Sequence, residues 1–272
     1  MFLFAVYRYF NLLNLDVVAG AVISSMAFAC LLDVEVSWAA SSLLGLTIWS
    51  IYTFDRLMDA RYKKDALQSD RHRFHNNKAS LLGWLVTACI LFSAILLFFI
   101  PPITVLWGAT LACCVLAYLA TIHLLKIKWL VYKEVVIATI YTLGVMLAPL
   151  SIYQGDYGIS FLLCGVIFFV IVLFNLLVFS IYDEDFDLKS DLPSLVTVLG
   201  KKPVNTLLHV MSAFLIVLIL LGYIRYADPI FIVFLFMSTV LIIIHRYDHL
   251  NFFQLNYRLM GDAVFLLPLI LL

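Results

Sequence analysis

Nine apolar runs, each cut off by a short polar or turn-forming stretch, dominate the pattern of this chain: residues 17–32, 37–54, 80–100, 103–125, 130–153, 159–182, 204–226, 229–245 and 257–272. Each approaches or exceeds the roughly 20 residues that a helix needs to cross a bilayer. The runs are continuous and do not alternate over segments of about 10 residues, so they predict helices and not barrel strands. They leave little sequence over. The expected fold is therefore all-α, a polytopic membrane bundle of about nine transmembrane helices in a single domain over residues 1–272.

Composition agrees with the pattern, since 65% of residues are hydrophobic and only 12% are charged. The opening segment MFLFAVYRYF is aromatic and offers no small-residue cleavage site, so no removable signal peptide is expected. Pro101-Pro102 marks a turn, and Pro193 stops the helix before it. All five cysteines fall inside apolar runs without metal-ligand spacing and read as packing residues. Net charge is zero, and no basic stretch is interleaved with aromatics, which argues against a nucleic-acid partner. The partner implied by composition is the lipid bilayer itself.

Basic residues set the orientation. With the N-terminus on the inner side, 16 of the 17 Lys and Arg residues fall on the cytoplasmic side and only Arg225 falls outside, which follows the positive-inside rule. The expected location is a bacterial cytoplasmic (inner) membrane, with the loops after the second and sixth runs facing the cytoplasm.

Those two loops carry the chemistry. Asp55 and Asp59 close the second run and Asp183 and Asp187 close the sixth, each pair spaced Asp-x-x-x-Asp. Residues four apart on a helix share a face, with Cβ atoms about 5–6 Å apart, so each pair can hold a hard divalent cation between its oxygens. Mg²⁺ prefers such oxygen ligands and commonly completes its shell with phosphate and water. The four carboxylates therefore point to a Mg²⁺-dependent membrane enzyme acting on a diphosphate. His72 and His75, and His245 and His249, sit at ligand-like spacings but lack the further ligands of a tetrahedral zinc site. Arg258 and Asp262, four apart, are expected to form an ion pair within the last run.

On these motifs the chain resembles the UbiA superfamily of intramembrane prenyltransferases over essentially its whole length. That family has nine helices and two aspartate-rich motifs, the first commonly Asn-x-x-x-Asp-x-x-x-Asp. The second motif here fits well: Asp183-Glu184-Asp185-Phe186-Asp187, then Lys189, then Ser194 to Gly200 with a Leu-Gly turn. The first departs, because Ile51 stands where the family has an amide; Ser50, Tyr52, Thr53 or Asn175 are the candidates to replace it.

The resemblance implies ionisation of an isoprenyl diphosphate and attack on the allylic cation by a lipophilic acceptor, such as a quinone precursor. It also implies roles for basic groups. Lys133 first, then Lys126, are suited to grip the diphosphate, with Arg71 and Lys189 as further candidates. Tyr52, Tyr118, Tyr141, Phe179 and Tyr182 are candidates to line a dry cavity whose π faces stabilise positive charge. Two alternatives stand beside this reading: a catalytically altered relative that binds an isoprenoid lipid, motivated by Ile51, and a membrane transporter that binds a cation at the acidic pairs.

Overall fold

The computed structural model describes residues 7, 9–62, 70–123, 133–189 and 194–272. Among them all regular structure is helical: α1 (Leu15–Leu31), α2 (Trp38–Tyr62), α3 (Asp70–Asn77), α4 (Ala79–Leu96), α5 (Pro102–His123), α6 (Lys133–Ile152), α7 (Ile159–Tyr182), α8 (Glu184–Lys189), α9 (Leu195–Leu199), α10 (Lys201–Tyr226), α11 (Ile230–Arg246) and α12 (Asn251–Ala263). A 3₁₀ segment, Val264–Leu271, continues α12 toward the C-terminus.

Within the described residues, each apolar run of the sequence overlaps one of these helices, the last continuing into the 3₁₀ segment. Five described segments are long and apolar enough to cross a membrane: Ala79–Phe99, Pro102–Thr121, Lys133–Ile152, Ile159–Tyr182 and Lys201–Tyr226. Helices α1 and α11 are apolar but have 17 residues each, about 26 Å at 1.5 Å per residue. The last run begins earlier than its apolar core suggests, because the polar turn around Asn251–Asn256 is already helical. The basic loop between the second and third runs contains α3, a short helix that its low apolar content does not announce.

Helix α7 is the hub, buried along most of its length and packed between α6, α10 and α11. Helix α1 packs against α2, α6 and the C-terminal 3₁₀ segment, so the two ends of the chain close the bundle. Lipid tails are as apolar as Leu, and association inside a bilayer therefore depends on close packing more than on a hydrophobic drive. Phe168 illustrates this at the centre, with edge contacts to Phe28 at 5.4 Å and Phe265 at 5.9 Å. Such pairs are worth about 0.5–1.5 kcal/mol each beyond area burial. Helices α4 and α5 lie at the periphery and turn apolar side chains outward; Trp84 is 73% exposed and Leu106 62%. In water that face would be a liability, and in lipid it is matched to its solvent.

Candidate functional site at the ends of the motif helices

Helices α2 and α7, which lead into the two acidic motifs, both line one cavity. On α2, Tyr52 and Arg56 line it, with Asp55 between them in sequence. On α7, Asn175 and Phe179 line it one turn apart, and Asp183 follows a further turn on. Tyr141 of α6 and Arg258 and Asp262 of α12 complete the polar and aromatic wall around a cavity of about 110 Å³. The spacings 52/56, 175/179 and 258/262 are all i, i+4, so each helix presents one face.

Asp183 lies at the junction of α7 and α8 with φ −89° and ψ 1°, outside the regular helix. The carbonyl of Asp183 nevertheless accepts from the Asp187 N–H at 2.8 Å, which preserves the i, i+4 relation of the pair across the break. Asp187 is buried. Burial pushes its carboxyl above the ordinary range, and Lys133 at the start of α6 and a hydrogen bond with Ser194 pull the other way.

Both oxygens of Asp183 have protein partners. Tyr257 donates its hydroxyl to Oδ1, and Arg258 donates from Nη2 to Oδ2 in an ion pair. The guanidinium is fixed further by a 3.1 Å bond from its Nε to the Tyr257 hydroxyl and by the Phe179 ring 5.3 Å away. Tyr257 in turn stacks on Tyr182 at 4.5 Å, and Tyr182 donates to the Ile244 carbonyl at 2.7 Å. The ion pair expected between Arg258 and Asp262 is thus corrected: the direct partner of Arg258 is Asp183, brought close by the fold from 75 residues away.

A second polar group forms the floor. Asp16, wholly buried at the start of α1, accepts from Asn11, and the same amide nitrogen donates to Asp262 at 3.2 Å. Arg56 reaches the same region through a 2.8 Å bond from its Nε to Asn14 Oδ1. Asn14 caps α1 in the left-handed region at φ 57°, a conformation that Asn tolerates better than most residues. Glu134, next to Lys133, is buried as well; its Oε1 accepts from Ser180 Oγ at 2.8 Å and from the Leu195 N–H at 3.1 Å. It ties the start of α6 to the end of α7 and to the segment after the second motif.

The candidate residues of the sequence are therefore placed unevenly. Asp55, Asp183, Asp187 and Lys133 fall on or beside the cavity helices. Asp59, Arg71 and Lys189 lie on described backbone, but their side chains fall outside the described residues, and Lys126 lies outside them altogether. Of the proposed aromatic lining, Tyr52, Tyr141 and Phe179 face the cavity, whereas Tyr182 supports it through Tyr257. Among the candidates to replace the missing amide, Tyr52 and Asn175 reach the cavity. Sequence reasoning missed Tyr257, Glu134 and the Asn11, Asp16 and Asp262 group. The available signal was a carboxylate next to or within an apolar run, which is costly in lipid and seldom present without a role.

No group of three or more His, Cys, Asp or Glu side chains gathers as a ready metal cage among the described residues. Asp55, Asp183 and Asp187 lie on or just beyond the helices that line the cavity, and carboxylates of this kind suit Mg²⁺, which takes few protein ligands and completes its shell from phosphate and water.

Fold and site define an integral, helical membrane protein with a largely apolar and aromatic cavity that also holds Arg56, Arg258 and Asp262. The sequence matches the UbiA prenyltransferase family over residues 17–254, and the chain belongs to that family of membrane prenyltransferases. No curated protein matches it. Among solved structures, a UbiA homolog from Archaeoglobus fulgidus bound to GPP and Mg²⁺ has a TM-score of 0.64 at 13% identity, covering 97% of this chain and 98% of that one. The same homolog bound to DMAPP and Mg²⁺ gives 0.61 at 14% identity, with 94% and 98% covered. At these identities the likeness carries the fold.

Proposed function

We propose that this chain transfers an isoprenyl group from a prenyl diphosphate to a lipophilic acceptor within the membrane, in a Mg²⁺-dependent reaction. The carrying observation is that the helices of both aspartate motifs line a single cavity, through Tyr52 and Arg56 on one side and Asn175 and Phe179 on the other. The A. fulgidus homolog, solved with Mg²⁺ and either DMAPP or GPP, supports the same choice of metal and donor. The proposal extends to the whole chain as one domain, and to a bacterial inner membrane with the site on its cytoplasmic side, as the distribution of Lys and Arg indicates.

Asp55, Asp59, Asp183 and Asp187 would hold Mg²⁺, which when bound offsets the charge of the diphosphate and favours its departure. Lys133 would donate to diphosphate oxygens beside Asp187, with Lys126, Arg71 and Lys189 as further donors. Arg258, already aimed at Asp183, can turn to those oxygens once the carboxylate has another cation to face. Phe179, Tyr52 and Tyr141 offer π faces to the allylic cation and keep water from it.

The test is pyrophosphate release by purified protein from a panel of prenyl diphosphates, with and without Mg²⁺. A second reading, a relative that binds isoprenoid diphosphates without ionising them, is favoured by Ile51 in the first motif and by the engagement of both Asp183 oxygens. It predicts donor binding with no pyrophosphate released.

A further inference from the structure

The cavity has a charged end and an aromatic end. On α7 its lining runs from Phe179, one turn before Asp183, back to Val172, a span of about 10 Å at 1.5 Å per residue. The facing wall runs antiparallel to it. Arg258 meets Asp183 and the Phe179 ring at one end, and Phe265 meets Phe168 of α7 at the other.

Past Val172 the aromatic end is filled by rings. Phe168, one turn further back on α7 and wholly buried, touches two lining residues, Phe265 edge-on at 5.9 Å and Tyr141 in a stacked contact at 6.3 Å. Phe28 of α1 backs it at 5.4 Å and itself meets Phe161 at 5.7 Å, so the stack continues along α7 away from the motifs. The backbone that carries Phe265 is held by α1, because a Cβ at Gly20 would lie 2.7 Å from Phe265 Cβ. At about 110 Å³ the cavity matches a five-carbon branched group; by comparison, an apolar cavity of roughly 150 Å³ takes up one benzene. A second isoprene unit would have to enter the volume that Phe168 and Phe265 occupy, and a packed core resists such insertion.

Resting on the prenyltransferase reading, we propose that the donor's tail points from the aspartate motifs toward Phe265 and that Phe168 and Phe265 close its path after one isoprene unit. These two rings are specificity-determining residues, and the donor is a five-carbon allylic diphosphate.

The experiment measures binding of dimethylallyl, geranyl and farnesyl thiolodiphosphates to the full-length protein in nanodiscs with Mg²⁺, by calorimetry against empty nanodiscs. The bridging sulfur resists ionisation, so binding is read apart from chemistry. Wild type is expected to bind the five-carbon probe about tenfold or more tightly than either longer one, the scale on which a closed pocket rejects added methylenes. Phe168→Ala should reverse the order of the five- and ten-carbon probes. Phe168→Leu, which keeps an apolar side chain and removes the ring, and Phe265→Leu should each narrow the gap, and they carry the test where Phe168→Ala does not fold. A longer probe bound by wild type as tightly as the five-carbon one, or a ranking unchanged in every folded variant, overturns the inference. Binding of none of the three overturns it together with the donor reading. Pyrophosphate release from the corresponding oxygen diphosphates is read in parallel. Its absence with every donor sinks the enzymatic reading while the binding order still decides this inference, and its presence without a chain-length preference sinks this inference alone.

Discussion

Arg258 of α12 holds the carboxylate of Asp183 at the end of α7 in an ion pair. The pair is kept by Tyr257, which donates to the other oxygen of Asp183 and accepts from Arg258. If Asp183 holds Mg²⁺ as proposed, the cation would compete with Arg258 for this carboxylate, and the oxygens of a bound diphosphate would offer Arg258 another anion.

Arg258→Gln should show that competition directly. Metal binding by the substrate-free protein, followed with Mn²⁺ by electron paramagnetic resonance, is expected to tighten severalfold, while affinity for the prenyl diphosphate weakens. Arg258→Lys retains a charge but not the planar fork, and should fall between wild type and Gln in both measurements.

Asp187 gives the metal-free protein a pH signature. Its folded carboxyl titrates above the ordinary range because of burial, so the folded state holds the proton more tightly than the unfolded chain. The group's contribution to stability is then full below the ordinary carboxylate value and is lost as pH rises through the folded one. Melting temperature in the presence of chelator should fall across that window, and Asp187→Asn should flatten the fall. Added Mg²⁺ should reverse it at neutral pH, because the metal needs the ionised form.

Glu134 acts as a strut beside Lys133. Glu134→Ala leaves the Ser180 hydroxyl and the Leu195 N–H without their acceptor, an expected loss of about 1–3 kcal/mol for each group left unsatisfied. Glu134→Gln keeps an oxygen and should recover most of the stability. Because the strut fixes the start of α6, the Ala variant should raise KM for the donor more than it lowers kcat.

Gly261→Ala forces a methyl group into the Asn175 amide and the Phe179 ring. Overpacking of this kind costs about 1–3 kcal/mol. A lower melting temperature is expected, and a calorimetric comparison with Gly83→Ala supplies the control, since a Cβ at Gly83 meets nothing within 4 Å.

The helices were legible because a bilayer demands long apolar runs whatever else a sequence does, and the aspartate pairs were legible because charges beside such runs stand out. The local rule of i, i+4 pairing suggested Asp262 for Arg258 and failed, since the pairing is decided by how α12 sits against the end of α7, which no local pattern encodes. Asn175 could be seen as an amide in an apolar helix, but that it lines a cavity and packs against Gly261 depends on which side of α7 meets α6 and α12. The complete burial of Asp16 follows from the closure of α1 against the chain's C-terminal segment. The short helix α3 shows no apolar period because it is brief and polar, and α9, though apolar, is too short at five residues to show one.

The most direct measurement is Mg²⁺-dependent pyrophosphate release from prenyl diphosphates by wild-type protein, Asp55→Ala and Asp183→Ala, purified into nanodiscs. Release by wild type that requires Mg²⁺ and drops by about two or more orders of magnitude in both variants, as the loss of transition-state charge stabilisation predicts, supports an ionising prenyltransferase built on both motifs. Undiminished release in either variant, or none from wild type with any donor even when a lipid extract supplies acceptors, contradicts it.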